Sequence, residues 1–165
     1  MHMNVSQLQA TIREYLNTKV TVTITDLAPS SGATINPSED FTFVVRATNA
    51  AAAHGGLPLK NVKYHVLVEK ETVAKVRVPR GGTAVSRAGQ PLQAGAEVGD
   101  FVFQPAPRSD LSLLAPGETD LLTVTGKAGS APMGGTTAIK AWISADIDLG
   151  DFESREQVEM LVIKP

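Results

Sequence analysis

A chain of 165 residues with a formal net charge of −2 is long enough to bury the core of a single domain. This charge and the 42% hydrophobic fraction are typical neither of a nucleic-acid-binding protein nor of an acidic disordered chain. The chain contains no cysteine, which excludes disulfides, thiol catalysis and thiolate metal sites, and no apolar run approaches the length of a membrane span.

The first residues, Met1-His2-Met3, match the remnant of a common cloning junction. If they are such a remnant, the natural chain starts at Met3 or at an internal residue, and the missing signal peptide says nothing about location. An extracellular, periplasmic or cell-surface location is then favoured, and otherwise a cytoplasmic one. We divide the chain into residues 1–18, a tag remnant with an amphipathic helix, and residues 19–165, a β-domain.

Residues 4–16 show the one helical pattern of the sequence. Apolar residues three and four positions apart form a single stripe, which comprises Val5, Leu8, Ile12 and Tyr15 or Leu16. Ser6 followed by Gln9 predicts a capping box. Because so short a helix is marginally stable alone, its stripe must pack on something: either it caps an open end of the domain, or it is an assembly element that docks on another subunit or domain.

Alternation with a period of two dominates the rest of the chain and predicts a succession of strands. We place these strands at residues 20–25, 41–49, 61–69, 73–78, 101–103, 121–125, 136–146 and 156–163, with a short ribbon at 84–85. The gap at Lys70-Glu71 predicts a hairpin. Two strands follow similar proline turns, at 35–47 and 115–125, and the last strand alternates Val158, Met160 and Val162 with Glu159 and Leu161.

Many short strands separated by turns, without βαβ alternation, predict an all-β fold. We expect a two-sheet antiparallel immunoglobulin-like sandwich of seven to nine strands with a short N-terminal helix. Residues 79–99 are rich in Gly and Pro and lose the alternation, so we interpret them as a long loop insertion that is functional or mobile.

Two short motifs resemble the bacterial adhesion-related repeats known as CARDB. One is the strand entry Leu114-Ala115-Pro116-Gly117-Glu118-Thr119, and the other is the acidic loop at 146–156 with Glu153-Ser154-Arg155-Glu156. The resemblance covers about residues 19–165; it departs at Gln157-Val158, where an asparagine pair is usual, and at the 79–99 insertion. It implies an immunoglobulin-like module that binds, spaces or adheres rather than an enzyme.

Catalytic patterns are missing from the sequence. His65 lies on the polar face of a strand with Lys63 and Glu69, as a surface histidine would. His54-Gly55-Gly56 is similar to an oxyanion-hole loop, but no Gly-x-Ser-x-Gly nucleophile motif accompanies it. We therefore expect no enzyme.

Alternating carboxylates mark one acidic turn, formed by Asp146, Asp148, Asp151 and Glu153. Clustered oxygen ligands suit Ca²⁺, although the spacing is not that of an EF-hand. The alternative interpretation is that these carboxylates are simply solvated at the end of the sandwich. Calcium is thus the one cofactor that the sequence suggests, and we expect none to be required.

A ligand-binding face is predicted at Trp142 and Lys140, which lie opposite the apolar side of their strand. An exposed tryptophan serves as a sugar platform or as a contact for a partner protein. The alternative is that Trp142 packs under the helix or a loop.

Charge is segregated along the chain. Residues 60–87 contain seven Lys or Arg and two Glu, whereas residues 146–159 contain six Asp or Glu and one Arg. These segments are complementary either within one fold or between head-to-tail subunits.

The sequence thus predicts a non-enzymatic structural or protein-interaction module of a bacterial surface, secreted or multidomain protein. A carbohydrate-binding accessory module and a self-assembling structural subunit are the alternatives. The expected partners are a protein, a second copy or a carbohydrate, but neither nucleic acid nor the membrane interior.

Overall fold

The computed structural model describes residues 4–50, 56–69, 71–105, 114–130, 133–148 and 150–165, apart from the side chain of Arg80. These residues form one α-helix, α1 (Val5–Lys19), a 3₁₀ turn (Pro79–Gly81) and thirteen strands. The strands are β1 (Val20–Ala28), β2 (Thr34–Ile35), β3 (Asp40–Asn49), β4 (Lys60–Val68), β5 (Val73–Lys75), β6 (Thr83–Val85), β7 (Pro91–Leu92), β8 (Glu97–Val98), β9 (Asp100–Gln104), β10 (Glu118–Lys127), β11 (Gly135–Ile147), β12 (Gly150–Glu153) and β13 (Gln157–Ile163).

The strands form two sheets, as the sequence predicts. The smaller sheet has the order β1-β3-β10-β5-β8, and the larger has the order β2-β13-β11-β4-β9-β6-β7 with β12 paired to β11. All pairs are antiparallel except the short β13–β2 pair. Seven strands are at least five residues long, and six shorter ones bring the number above the expected seven to nine.

The two strands that follow proline turns are direct neighbours in the smaller sheet. β3 and β10 pair along ten residues, with Phe43 opposite Val124 and Val45 opposite Leu122. These four side chains are at most 1% exposed. The repeated sequence pattern therefore corresponds to one central antiparallel pair whose inner face is the smaller sheet's contribution to the core.

Gly126 leaves space for an aromatic ring in this core. It lies opposite Phe41, whose ring stacks on Phe43 with centroids 6.1 Å apart. A Cβ atom at Gly126 would lie 2.4 Å from the Phe41 ring and 2.7 Å from the carbonyl oxygen of Val73. A larger residue there would have to displace both.

Helix α1 begins and ends later than the sequence predicts, and a different residue caps it. Asn4 is the N-cap: its side chain accepts a hydrogen bond from the Gln7 amide at 2.8 Å, and the Gln7 side chain accepts one from the Asn4 amide at 3.0 Å. The predicted Ser6–Gln9 box is therefore wrong, since both residues lie inside the helix. Among the described residues, no helix is long and apolar enough to cross a membrane.

Three further details of the sequence interpretation are corrected. β4 and β5 do not form a hairpin, because β4 belongs to the larger sheet and β5 to the smaller. Residues 79–99 are not an irregular loop, since they contain β6, β7 and β8, which extend both sheets. In β13 the buried residues are Leu161 and Ile163, whereas Val158 and Met160 are 45% and 37% exposed.

Candidate functional site

One row of side chains crosses the outer face of the larger sheet. Trp142 of β11 lies opposite His65 of β4, His65 lies opposite Val102 of β9, and Val102 lies opposite Val85 of β6. All four are half-buried, although they are on the face away from the core. They alternate with inward residues of the same strands, and for His65 and Trp142 this alternation is why the sequence predicts an outward position.

A cleft of about 230 Å³ opens beside this row. Its aromatic and aliphatic walls include Trp142, His65, Leu67 and Val102, and charged side chains from three different strands or loops surround them. These charged residues are Arg87, Asp100 and Glu153. An apolar floor with a few converging polar groups is the usual composition of a binding pocket.

His65 is the unexpected member of the cleft. Its ring stacks on the indole of Trp142, with centroids 5.0 Å apart and planes 10° apart, and its Nε2 lies 2.7 Å from Ser144 Oγ. Burial, together with the positive charge of Lys63, lowers the pKa of His65 from 6.5 to about 4. The sequence interpretation of a surface histidine is therefore incomplete, because the ring is neutral at physiological pH and half-buried.

The His65–Ser144 pair is similar to a base–nucleophile pair but has the wrong electrostatics for one. A general base needs a pKa near the working pH and an environment that stabilises the imidazolium ion. Here burial and Lys63 both disfavour that ion. Among the described residues, no carboxylate is hydrogen-bonded to the other ring nitrogen, and His54 and Gly55 of the other candidate motif lie outside the described residues.

Trp142 differs from the predicted exposed platform. Its side chain is half-buried, His65 covers part of one face, and the buried indole Nε1 has no hydrogen-bond partner among the described residues. A sugar ring stacks best on an open aromatic face, and the contact with His65 reduces that face. No described residue of α1 lines the cleft around Trp142; the lining residues come from strands, apart from Arg87 in the segment after β6.

Lys140 lies on the same outer face but does not line the cleft. Its Nζ is 2.8 Å from Glu69 Oε1 and 3.9 Å from Glu156 Oε1, so it links the segment after β4 to the segment before β13. The hydrogen bond from Lys140 to Glu69 raises the pKa of the ammonium group, in spite of its partial desolvation. Trp142 and Lys140, which the sequence predicts to share one site, therefore do not line the same cleft.

Three of the four acidic residues predicted as calcium ligands have different partners. Asp148 pairs with Lys60 at 2.8 Å, Asp151 pairs with Arg13 at 2.8 Å, and Asp146 accepts a hydrogen bond from Asn61 at 2.9 Å. Within the described part of the chain, no three acidic or histidine side chains form a group that could hold a metal ion. Calcium binding stays a prediction without geometric support.

A second cavity, of about 160 Å³, adjoins the first. Asp146, Asp151 and Glu153 line it together with Lys63 and Ser144. Glu153 lines both cavities, and the His65–Ser144 hydrogen bond connects their walls. The two cavities are therefore neighbouring parts of one surface on the outer face of the larger sheet.

The apolar stripe of α1 is divided between the core and solvent. Leu16 is fully buried and Ile12 packs against the core, whereas Val5 and Leu8 are 64% and 38% exposed. Arg13 anchors the helix through its Nε to the Asp151 carbonyl at 2.9 Å and through the ion pair with the Asp151 side chain. The C-terminal half of α1 thus belongs to the domain, and an assembly role of the exposed half stays a prediction.

The opposite charge segments meet within one chain. The Lys60–Asp148 ion pair and the Asn61–Asp146 hydrogen bond join the basic and acidic segments where β4 begins and β11 ends. This contact favours the intramolecular interpretation of the charge segregation.

Sequence reasoning missed His65, Arg87, Asp100 and Glu153 as neighbours of Trp142. They come from β4, from the segment after β6, from β9 and from β12, and only strand order brings them together. One signal was available for His65, since it lies at the same outward parity in its strand as Trp142 does in β11.

No protein-family model and no curated protein sequence matches the chain. Solved structures do. AvmM, which catalyses macrocyclization in alchivemycin A biosynthesis, is 12% identical with a TM-score of 0.51, and the alignment covers 89% of each chain. The seventh ScaB type I cohesin from Pseudobacteroides cellulosolvens is 10% identical with a TM-score of 0.50, over 88% of this chain and 92% of the cohesin.

The chain is also similar to domains D2 and D3 of the major pilin SpaD from Corynebacterium diphtheriae, with a TM-score of 0.49 and 14% identity. That alignment covers 85% of this chain and 51% of the pilin chain. At these identities the likeness establishes the fold alone. The fold is an immunoglobulin-like β-sandwich found in bacterial proteins. The finer resemblance to CARDB repeats remains a prediction.

Proposed function

We propose that this chain is a non-catalytic protein-interaction module of a bacterial surface, secreted or multidomain protein. The outer face of the larger sheet is its binding face. One observation carries the proposal: the single tryptophan of the chain lies half-buried in a cleft of that face, with an arginine at the rim. Trp and Arg are the residue types most enriched among contacts that dominate protein–protein affinity.

Two considerations favour a protein partner over the alternatives. A sugar platform needs an open aromatic face, and His65 covers part of the Trp142 ring. A hydrolase that used the His65–Ser144 pair would need a base that accepts a proton near neutral pH, and the pKa of His65 is lowered to about 4. A fluorophosphonate probe, which labels activated serines, is therefore expected to leave Ser144 unmodified.

The binding face is tested by selecting random peptides displayed on phage against the intact chain. Binders are then measured against Trp142→Ala and Arg87→Ala, and against Leu121→Ala as the matched control. Leu121 is 42% exposed on the smaller sheet, so its truncation removes an apolar contact from the opposite face. Arg87 is exposed, so its variant leaves the core intact.

We expect most selected binders to lose at least tenfold in affinity with Trp142→Ala or Arg87→Ala, which corresponds to about 1.4 kcal/mol or more. The same binders should bind Leu121→Ala unchanged. Binders that depend on Leu121 and ignore both other residues would place the interaction on the smaller sheet and contradict the proposal. Thermal melts of each variant separate lost binding from lost folding.

A further inference from the structure

The two cavities of the larger sheet share the lining residue Glu153 and differ in chemistry, and we treat them together as one groove. We call it the Trp142–Asp146 groove: the cleft around Trp142 is one end, the second cavity around Asp146 is the other, and Glu153 lines both. Trp142, Ser144 and Asp146 follow one another along the outer face of β11. At about 3.3 Å per residue, the four positions from Trp142 to Asp146 span about 13 Å.

The chemistry of the two ends differs. The Trp142 end is walled by aromatic and aliphatic side chains, and its rim charges, Arg87 and Asp100, have opposite signs. Among the described residues, the Asp146 end is lined by three carboxylates and by one cation, Lys63. Of the three carboxylates, Asp151 is neutralised by Arg13, whereas Asp146 and Glu153 make no ion pair with any described residue.

We infer that the groove binds an extended segment of the partner protein that carries an apolar side chain and, four residues away, a lysine or arginine. The inference rests on the proposed function and names the chemistry of the segment. The apolar side chain lies at Trp142 and the cation lies between Asp146 and Glu153. Charge complementarity at the acidic end selects a basic residue over an acidic one.

The spacing follows from strand geometry. An extended segment also advances about 3.3 Å per residue, so residues four apart are separated by the length of the groove. An even separation directs both side chains to the same face of the segment, whereas a separation of three directs them to opposite faces. Spacing and charge are therefore two independent features of the inferred segment.

Three acetylated and amidated peptides test both features. The first, Ser-Leu-Thr-Ser-Thr-Lys-Ser, separates Leu from Lys by four residues. The second, Ser-Leu-Thr-Ser-Lys-Thr-Ser, has the same composition and a separation of three. The third replaces Lys in the first peptide by Glu. Because the chain has one tryptophan, the indole N–H resonance in a ¹⁵N–¹H spectrum reports on the groove directly.

We expect the first peptide to shift the indole resonance saturably at millimolar concentration, and at least fivefold more tightly than either control peptide. Glu153→Gln should weaken its binding about threefold or more, and added salt should weaken it too. The matched control is Glu71→Gln, which removes an exposed carboxylate that lines neither cavity.

Equal binding of the first two peptides, binding of the acidic peptide, or no shift with any peptide would overturn the inference. A shift with cellohexaose alone would overturn it in favour of a saccharide. If phage-selected binders depend on Trp142 but carry no such apolar–basic pair, the inference falls and the proposed function stands. If they do not depend on the outer face of the larger sheet at all, both fall.

Discussion

The ionisation of His65 makes the stability of the fold depend on pH. In the folded chain its pKa is about 4, against 6.5 for an ordinary histidine, because burial and the charge of Lys63 disfavour the imidazolium ion. Between these two values the unfolded chain binds a proton that the folded chain does not. Stability is therefore complete above pH 6.5 and falls as the pH decreases towards 4.

The size of the effect follows from the shift. Each pKa unit corresponds to about 1.4 kcal/mol, so a shift from 6.5 to about 4 gives an upper limit of about 3.5 kcal/mol. The ring is only partly buried, and solvent screening reduces the expected loss between pH 7 and pH 4 to about 2 kcal/mol.

The assay is urea unfolding of the wild type and His65→Gln at several values between pH 7.5 and pH 4. Glutamine can still hydrogen-bond Ser144 but does not titrate. The carboxylates and the other histidines are common to both proteins, so their contributions largely cancel in the difference. We expect the wild type to lose about 2 kcal/mol relative to the variant as the pH falls.

A second variant checks the cause of the shift. Lys63→Gln removes the neighbouring charge but leaves the burial, so the pKa of His65 should rise slightly and remain well below 6.5. Histidine ring resonances measured by NMR give the pKa directly, and the signal missing from His65→Gln is that of His65. A measured pKa near 6.5, or a stability difference that does not change with pH, would refute the reasoning.

Three further predictions concern the fold and the acidic turn. Gly126→Ala should destabilise the chain by about 1–3 kcal/mol in urea unfolding, because its Cβ would lie 2.4 Å from the Phe41 ring, whereas Gly99→Ala, with no atom closer than 4.0 Å, should have little effect. Leu16→Ala should lower the free energy of unfolding by about 2–5 kcal/mol because Leu16 is fully buried. Leu8→Ala, at an exposed position of the same helix, should lower it by about 0.5 kcal/mol or less. Equal losses would contradict the division of the helix between core and solvent. Millimolar Ca²⁺ and a chelator should leave the melting temperature unchanged, since Asp146, Asp148 and Asp151 have separate partners; a melting temperature that rises with Ca²⁺ would contradict this expectation.

Local pattern explains how much of the fold was predictable. In β4 the alternation of Val62, Tyr64, Val66 and Val68 identified the buried face, and all four are at most 6% exposed. The prediction of the buried face was wrong for the final strand, because both of its faces carry apolar residues and alternation alone does not decide which face is inside. The prediction of a β4–β5 hairpin was wrong for a different reason. A short gap between two strands allows either a hairpin or a crossing from one sheet to the other, and the sequence does not distinguish the two.

The candidate site was predictable only in part. The sequence marked Trp142 as outward-facing, and this is right, because parity along a strand is a local property. By itself the sequence determined the all-β class, the helix, the core faces of most strands and the side of the sheet on which Trp142 lies. The tertiary structure alone decided that His65 stacks on Trp142 and that Arg87, Asp100 and Glu153 surround it. The physical reason is that these residues are distant in sequence and become neighbours through strand order, which is set by the packing of the whole sandwich rather than by any local pattern.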